Sequence, residues 1–87
     1  MLEDFVIKFT AEWCAPCKQL APLFKELSEE IKKFFFEVNV DEEQKLAQLF
    51  NILSIPTIVI VRNGKEIGRI NGMMPKQQLK EKIMSSF

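Results

Sequence analysis

Only two cysteines occur in the 87 residues, Cys14 and Cys17, and they fall where a β-type run gives way to a helical repeat. Residues 4–10 are rich in β-branched and aromatic side chains with little alternation, the pattern of a strand covered on both faces. From residue 15 to about 33, Leu20, Leu23, Phe24, Leu27 and Ile31 recur at spacings of three and four, while Lys18, Lys25, Glu26, Glu29 and Glu30 occupy other faces. This predicts a long amphipathic helix. Pro22 inside it lacks an amide proton and crowds the preceding turn, so a kink is expected there.

The remaining elements follow from the same periodicities. Residues 34–40 read as a second strand, and residues 42–51, with Leu46, Leu49 and Phe50 on one side, as a short helix that Asp41 would N-cap. Residues 57–62 and 65–70 flank Asn63-Gly64, a dipeptide suited to a tight hairpin turn. Gly72 and Pro75 end that ribbon, and Leu79 with Ile83 mark a lysine-rich closing helix over residues 76–85. The order βαβαββα predicts an α/β fold: a four-stranded mixed sheet flanked by three helices, with helices on both faces. Its first half should form a parallel crossover and its second an antiparallel hairpin. No internal repeat or linker composition interrupts the chain, so residues 1–87 are expected to form one domain.

Composition narrows the function. Twelve basic and twelve acidic residues cancel, and histidine is absent. There is thus no electrostatic case for binding nucleic acid or an anionic membrane surface. Apolar runs such as residues 34–36 and 58–61 fall far short of the roughly 20 residues of a membrane span. Glu3-Asp4 stands where a signal peptide would carry positive charge, so a cytoplasmic protein is expected. Two cysteines cannot build the multi-bridge framework of small secreted domains, and they read instead as a working pair.

The chemistry of that pair follows from its position. At the start of a helix, the Cys14 sulfur meets unpaired amide protons and the positive end of the helix dipole. Both favour a thiolate, the attacking species in disulfide exchange, and such a site lowers a cysteine pKa from about 8.5 toward neutrality. Cys17 follows one turn later, within reach of a mixed disulfide formed on Cys14. Cys14 is the candidate nucleophile and Cys17 the candidate resolving thiol. Pro16, in the first turn, stiffens the loop between them.

Competing readings remain at this level. Cysteines at this spacing also serve structural zinc, but with no further cysteine and no histidine one chain cannot close a four-ligand site. A zinc site would have to span a dimer. The pair could also be inert buried thiols. Trp13 is either a flat apolar surface for a substrate or an ordinary core residue. Ile55-Pro56 precedes the third strand, where a cis bond is conceivable and trans is the commoner state.

Several separated motifs then coincide with one family. Phe9-Thr10-Ala11-Glu12-Trp13-Cys14-Ala15-Pro16-Cys17-Lys18, followed by Ala21-Pro22, Ser54-Ile55-Pro56-Thr57, Asn63-Gly64-Lys65 and Gly72, resembles the thioredoxin family over nearly the whole chain. The resemblance implies a thioredoxin-like fold, with Cys14 as nucleophile, Cys17 as resolving thiol, and a cis Ile55-Pro56 bond facing them. It also implies substrate contacts at Trp13, Ile55 and Gly72, and around Ala15, Pro16 and Pro56. Relative to the family, the sequence looks trimmed at its N-terminus, without the usual opening strand and helix, as in glutaredoxin-sized relatives.

Four departures from the family pattern stand out. Ala15 replaces the usual glycine between the cysteines, and Thr10 replaces a tryptophan. The position of the family's buried aspartate is Lys8, and that of its partner lysine is Glu37, so this pair looks charge-swapped. The residues support that link on their own terms. Lys8 interrupts the run Phe5-Val6-Ile7 and Phe9, and Glu37 interrupts Phe34-Phe35-Phe36 and Val38. Charges within apolar strands need partners, and opposite signs on adjacent strands supply them, unless both side chains reach solvent. Glu37 is thus the candidate proton acceptor for Cys17, directly or through water, with Lys8 holding its negative charge.

The expected activity is protein-disulfide reduction by dithiol/disulfide exchange. No cofactor is expected on the chain beyond the redox-active Cys14-Cys17 disulfide, since three glycines offer no phosphate-binding loop. Reducing equivalents would arrive from NADPH indirectly, through a thioredoxin reductase-like donor, and the chain is expected to be a monomer. The alternatives are a glutaredoxin-like, glutathione-dependent oxidoreductase and a non-enzymatic binding module on the same scaffold.

Overall fold

The structure is a computed structural model and describes residues 4–87. Its elements are β1 (Phe5–Thr10), α1 (Ala15–Glu30), β2 (Phe34–Asn39), α2 (Gln44–Leu49), β3 (Thr57–Arg62), β4 (Lys65–Asn71) and α3 (Lys76–Ser86). The strands form one sheet in the order β2-β1-β3-β4. β1 runs parallel to β2 and antiparallel to β3, and β3 runs antiparallel to β4. This is the mixed, four-stranded, three-helix architecture that the periodicities predict.

Two apolar layers sandwich the sheet. On one face Val6, Ile58, Ile60 and Ile70 pack against Leu20, Phe24 and Leu27 of α1 and Leu79 and Ile83 of α3. On the other, Ile7, Phe9, Val59 and Val61 pack beneath Leu46 of α2 and Phe50 just beyond it. β1 and β3 are therefore buried from both sides, which explains why their sequences do not alternate. The hairpin closes at Asn63 and Gly64, both at positive φ, with Arg62 opposite Lys65. That pair of left-handed residues matches the twist of the flanking strands, and asparagine and glycine tolerate it best.

The largest departures from the expected boundaries are at the end of α1 and at both ends of α2. α1 stops at Glu30 because Ile31 is already extended, and the Lys33 amide donates to the Ile31 carbonyl at 2.9 Å as the chain turns into β2. Pro22 lies within one uninterrupted helix and denies the Lys18 carbonyl its usual donor. α2 is shorter than expected, and its N-cap is Glu43, which makes no side-chain capping bond. The Asn39 side chain takes the turn instead, accepting from the amides of Asp41 at 2.9 Å and Glu42 at 3.3 Å. At its other end, Asn51 adopts φ 52°, and the amides of Asn51 and Ile52 close back on the carbonyls of Gln48 and Ala47.

An ion-pair cluster ties α3 to α1. Lys76 reaches Glu26 and Glu30, and Lys80 reaches Glu30 at 2.9 Å. Hydrogen bonds from Lys76 and then Lys80 hold the Glu30 carboxyl below its ordinary value of 4.5. The resulting stabilisation is fully present above that value and is lost as pH falls through the lowered folded one.

Candidate active site

The C-terminal end of β1 delivers the chain through Ala11 to Cys14, which serves as the N-cap of α1. Cys14 and Cys17 are joined in a disulfide, with their Cα atoms 5.2 Å apart. The Cys17 amide donates to Cys14 Sγ at 3.2 Å, so a first-turn donor of the helix points at that sulfur. Pro16 occupies the first turn, where its missing amide proton costs nothing. Both cysteines are buried, Cys17 more deeply, and they pack with Ala11 against Val40 and Ile55.

Ile55 reaches the sulfurs because the loop before β3 is shaped to bring it there. The Ile55-Pro56 bond is cis, as the resemblance implies and against the commoner trans state. Thr57 Oγ1 donates to the Ser54 carbonyl at 2.7 Å, and the Gly72 amide donates to the Pro56 carbonyl at 2.8 Å, fixing the loop from both sides. Gly72 has φ +83° and open space where a Cβ would stand. Backbone conformation, and not crowding, favours glycine there.

Beside the disulfide, Trp13 is 70% exposed and is not a core residue. Its indole Nε1–H donates to Asp41 Oδ2 at 2.9 Å. The ring forms one wall of a shallow, mainly apolar groove of about 320 Å³, lined also by Val40, Ala47, Ile52, Leu53, Ser54 and Ile55. Leu53 is 96% exposed. An apolar surface this open next to a reactive bond is suited to docking an extended segment. Asp41, expected to cap α2, instead orients Trp13, and the groove residues Ile52 and Leu53 were not singled out in the sequence. The signal available was two apolar residues in a short loop just ahead of Ile55.

A second, more polar cleft of about 600 Å³ opens on the other side of the cysteines, lined by Thr10, Ala11, Glu12, Cys17, Lys18, Ala21, Glu37, Asn39 and Glu42. It brings Cys17 and Glu37 onto one surface. Lys8 and Glu37 are register partners on β1 and β2, with Lys8 Nζ 3.6 Å from Glu37 Oε1. The pair is one-sided. Lys8 is buried, its ammonium 5.1 Å from the centroid of the Phe24 ring, whereas the Glu37 side chain is 60% exposed. β1 lies inside the sheet under α1, while β2 is the edge strand. Among the described residues, no group of three or more His, Cys, Asp or Glu side chains converges as a metal site.

The family model for thioredoxin matches residues 2–85. The chain belongs to the thioredoxin family. It is 43% identical over 83 residues to thioredoxin H5 of Arabidopsis thaliana, an alignment covering 91% of this chain and 67% of that protein. It is 40% identical over 78 residues to a thioredoxin of Mycoplasma genitalium, covering 88% of this chain and 76% of the relative. Among solved structures, the reduced thioredoxin pre-protein of Schistosoma mansoni superposes with a TM-score of 0.89 at 36% identity, over 98% of this chain and 80% of that one. A thioredoxin from Nicotiana alata gives 0.89 at 32% identity, over 99% and 75%.

With the Cys-x-x-Cys disulfide at the family position, the protein is a thiol-disulfide oxidoreductase that reduces protein disulfides by dithiol/disulfide exchange. Thioredoxins need no prosthetic cofactor; they act on disulfide-containing proteins and are recharged by reductases. Among the described residues, no helix is long and apolar enough to cross a membrane.

The hydrogen bond from Trp13 to Asp41 carries a prediction that its setting makes easy to read, because Trp13 is the only tryptophan. Asp41→Ala should free the indole, lower its fluorescence anisotropy and raise KM for protein substrates by about three- to tenfold, the cost of one charge-assisted hydrogen bond at an exposed site. Asp41→Asn keeps an acceptor and should retain most of both.

Proposed function

We propose that Cys14 is the nucleophile and Cys17 the resolving thiol of a cytoplasmic disulfide reductase recharged from NADPH through a thioredoxin reductase-like partner. The observation that carries the assignment of roles is the asymmetry of the pair. Cys14 Sγ accepts a helix-start amide beside the exposed Trp13 groove, whereas Cys17 lies beneath it and opens only to the polar cleft.

The Cys14 thiolate attacks one sulfur of a substrate disulfide, forming a mixed disulfide and expelling the other substrate sulfur as a thiolate. Cys17 then gives up its proton and attacks Cys14 Sγ, which breaks the mixed disulfide and releases the second substrate sulfur. Two electrons pass to the substrate, and its two thiolates take up two protons. The protein is left with the Cys14-Cys17 disulfide, which the donor reduces by the reverse exchange. Trp13, Ile55 and Leu53 bind the apolar flank of the substrate segment. The backbone near Ile55, Pro56 and Gly72 lies alongside, and Ala15 and Pro16 border Cys14 Sγ.

Equilibration of the Cys14-Cys17 pair with glutathione tests this reading. A potential near −270 mV, roughly the thioredoxin value, with turnover supported by NADPH and a thioredoxin reductase, is the expected result. A potential nearer about −200 mV, with turnover supported by glutathione alone, would transfer the protein to glutaredoxin-like chemistry. Failure of the pair to undergo exchange would leave only a binding module on this scaffold.

A further inference from the structure

The two edges of the sheet are built differently. β4 carries Lys65, Glu66 and Arg69, and the β3–β4 ladder shifts register at Ile60/Val61, features that discourage another strand from joining. β2, on the opposite edge, has no register shift and carries a single charge, Glu37. Its pairing with β1 is regular over six residues, proline is absent from residues 23–55, and Phe34 and Phe36 are 55% and 51% exposed. Their rings stack on each other with centroids 6.4 Å apart, and Phe36 meets Phe5 edge-on.

The direction of the free backbone groups is fixed by one hydrogen bond. The Val40 amide donates to the Thr10 carbonyl of β1, so by strand alternation the even-numbered residues of β2 face β1. Phe35 and Glu37 therefore turn their amide and carbonyl groups to the open edge, whereas the Asn39 carbonyl already accepts from the amides of Glu42 and Glu43. Any strand added there must pair with odd-numbered residues.

We infer that β2 is a self-association edge, at which a second copy of this chain pairs antiparallel about a two-fold axis through Phe35, forming an eight-stranded sheet. Charge selects this register. With Phe35 opposite Phe35 of the second copy, Glu37 stands opposite Lys33 on one face, twice by symmetry. On the other face Phe34 stands opposite Phe36, making a ladder of four aromatic rings. A shift of two residues would leave Glu37 opposite Phe35 or Ile31, with no cation facing it, and a shift of four in one direction would place Glu37 opposite Glu37. A shift by one would join opposite faces. Phe35 exchanges two hydrogen bonds with its counterpart. Each Glu37 amide gives one more to the Lys33 carbonyl, while the Lys33 amide stays with Ile31. Lys33 already holds Asp4 at 3.0 Å, so signs alternate across the joined sheets: Lys8, Glu37, Lys33, Asp4. The strands run in opposite senses, so the two disulfides lie at opposite ends and both remain open. This departs from the monomer expected from the sequence.

Sedimentation of the 87-residue chain from micromolar to millimolar concentration, under reducing conditions that remove disulfide-linked species, tests the inference together with amide hydrogen exchange. The expected result is a reversible monomer–dimer equilibrium, with the Phe35 and Glu37 amides gaining protection as concentration rises and those of Phe36 and Val38 protected throughout. Phe34→Lys/Phe36→Lys places like charges opposite each other and should weaken the dimer about tenfold or more. Phe34→Lys/Phe36→Glu places opposite charges there and should recover association in a salt-sensitive form. Thermal melts check that both variants fold. A monomer at every concentration, association without protection of Phe35 and Glu37, equal behaviour of the two double variants, or growth beyond a dimer would each overturn the inference.

Discussion

Cys14→Ser is expected to abolish disulfide reduction, lowering the rate by roughly four orders of magnitude or more, as loss of a covalent nucleophile does in other enzymes. A serine hydroxyl is not ionised near neutral pH and gains little from a helix-start amide. Cys17 cannot stand in for it, since it is 1% exposed and packed beneath Cys14 with Ala11. Cys17→Ser should behave differently. Its first exchange remains intact, but the mixed disulfide has no resolving thiol, so intact-mass analysis should find one adduct per chain on Cys14, released only by added reductant. Adducts accumulating on Cys17 in the Cys14→Ser protein at a comparable rate would reverse the assignment of roles.

The two variants also bear on what could be read from residues alone. Asn63-Gly64 between two β-branched runs locates the hairpin with Arg62 opposite Lys65, because turn chemistry and register are both local. The pairing of Lys8 with Glu37 is legible for a different reason. Each is a lone charge in an apolar strand, and the parallel crossover brings the two strands side by side. The exposure of Glu37 is not legible, since Phe34-Phe35-Phe36 reads as core and only the strand order reveals an edge. The start of α2 is obscured by a contact across 28 residues of sequence, in which Trp13 recruits the Asp41 carboxylate. The cis state of Ile55-Pro56 lay beyond local reasoning as well. Resemblance supplied it, because the fold and not the dipeptide selects that isomer.

Glu37→Gln should slow disulfide reduction about tenfold to a hundredfold near neutral pH, at or below the roughly hundredfold floor for general base catalysis, because the proton must travel through water. Cys17 has to lose a proton before it can attack, and it is sealed from bulk solvent except along the polar cleft it shares with Glu37. Without that acceptor, hydroxide must take the proton. The variant's rate should therefore climb with pH and approach that of the parent protein at the alkaline end. Glu12 and Glu42 line the same cleft but have no buried ammonium beside them, so Glu12→Gln and Glu42→Gln should leave the profile nearly unchanged. Stability separates a chemical role from a structural one. Glu37→Gln strips the buried Lys8 ammonium of its anion, which costs about 1–2 kcal/mol once the exposure of Glu37 is allowed for. Lys8→Met replaces the charge with an apolar chain of similar shape among Phe24 and its neighbours, and should leave stability equal or higher. The double variant Lys8→Met/Glu37→Gln should then recover the stability lost in Glu37→Gln without recovering its rate. Recovery of both would mean that Glu37 serves only to neutralise Lys8, and an unchanged rate and pH profile in Glu37→Gln itself would remove Glu37 from the proton path altogether.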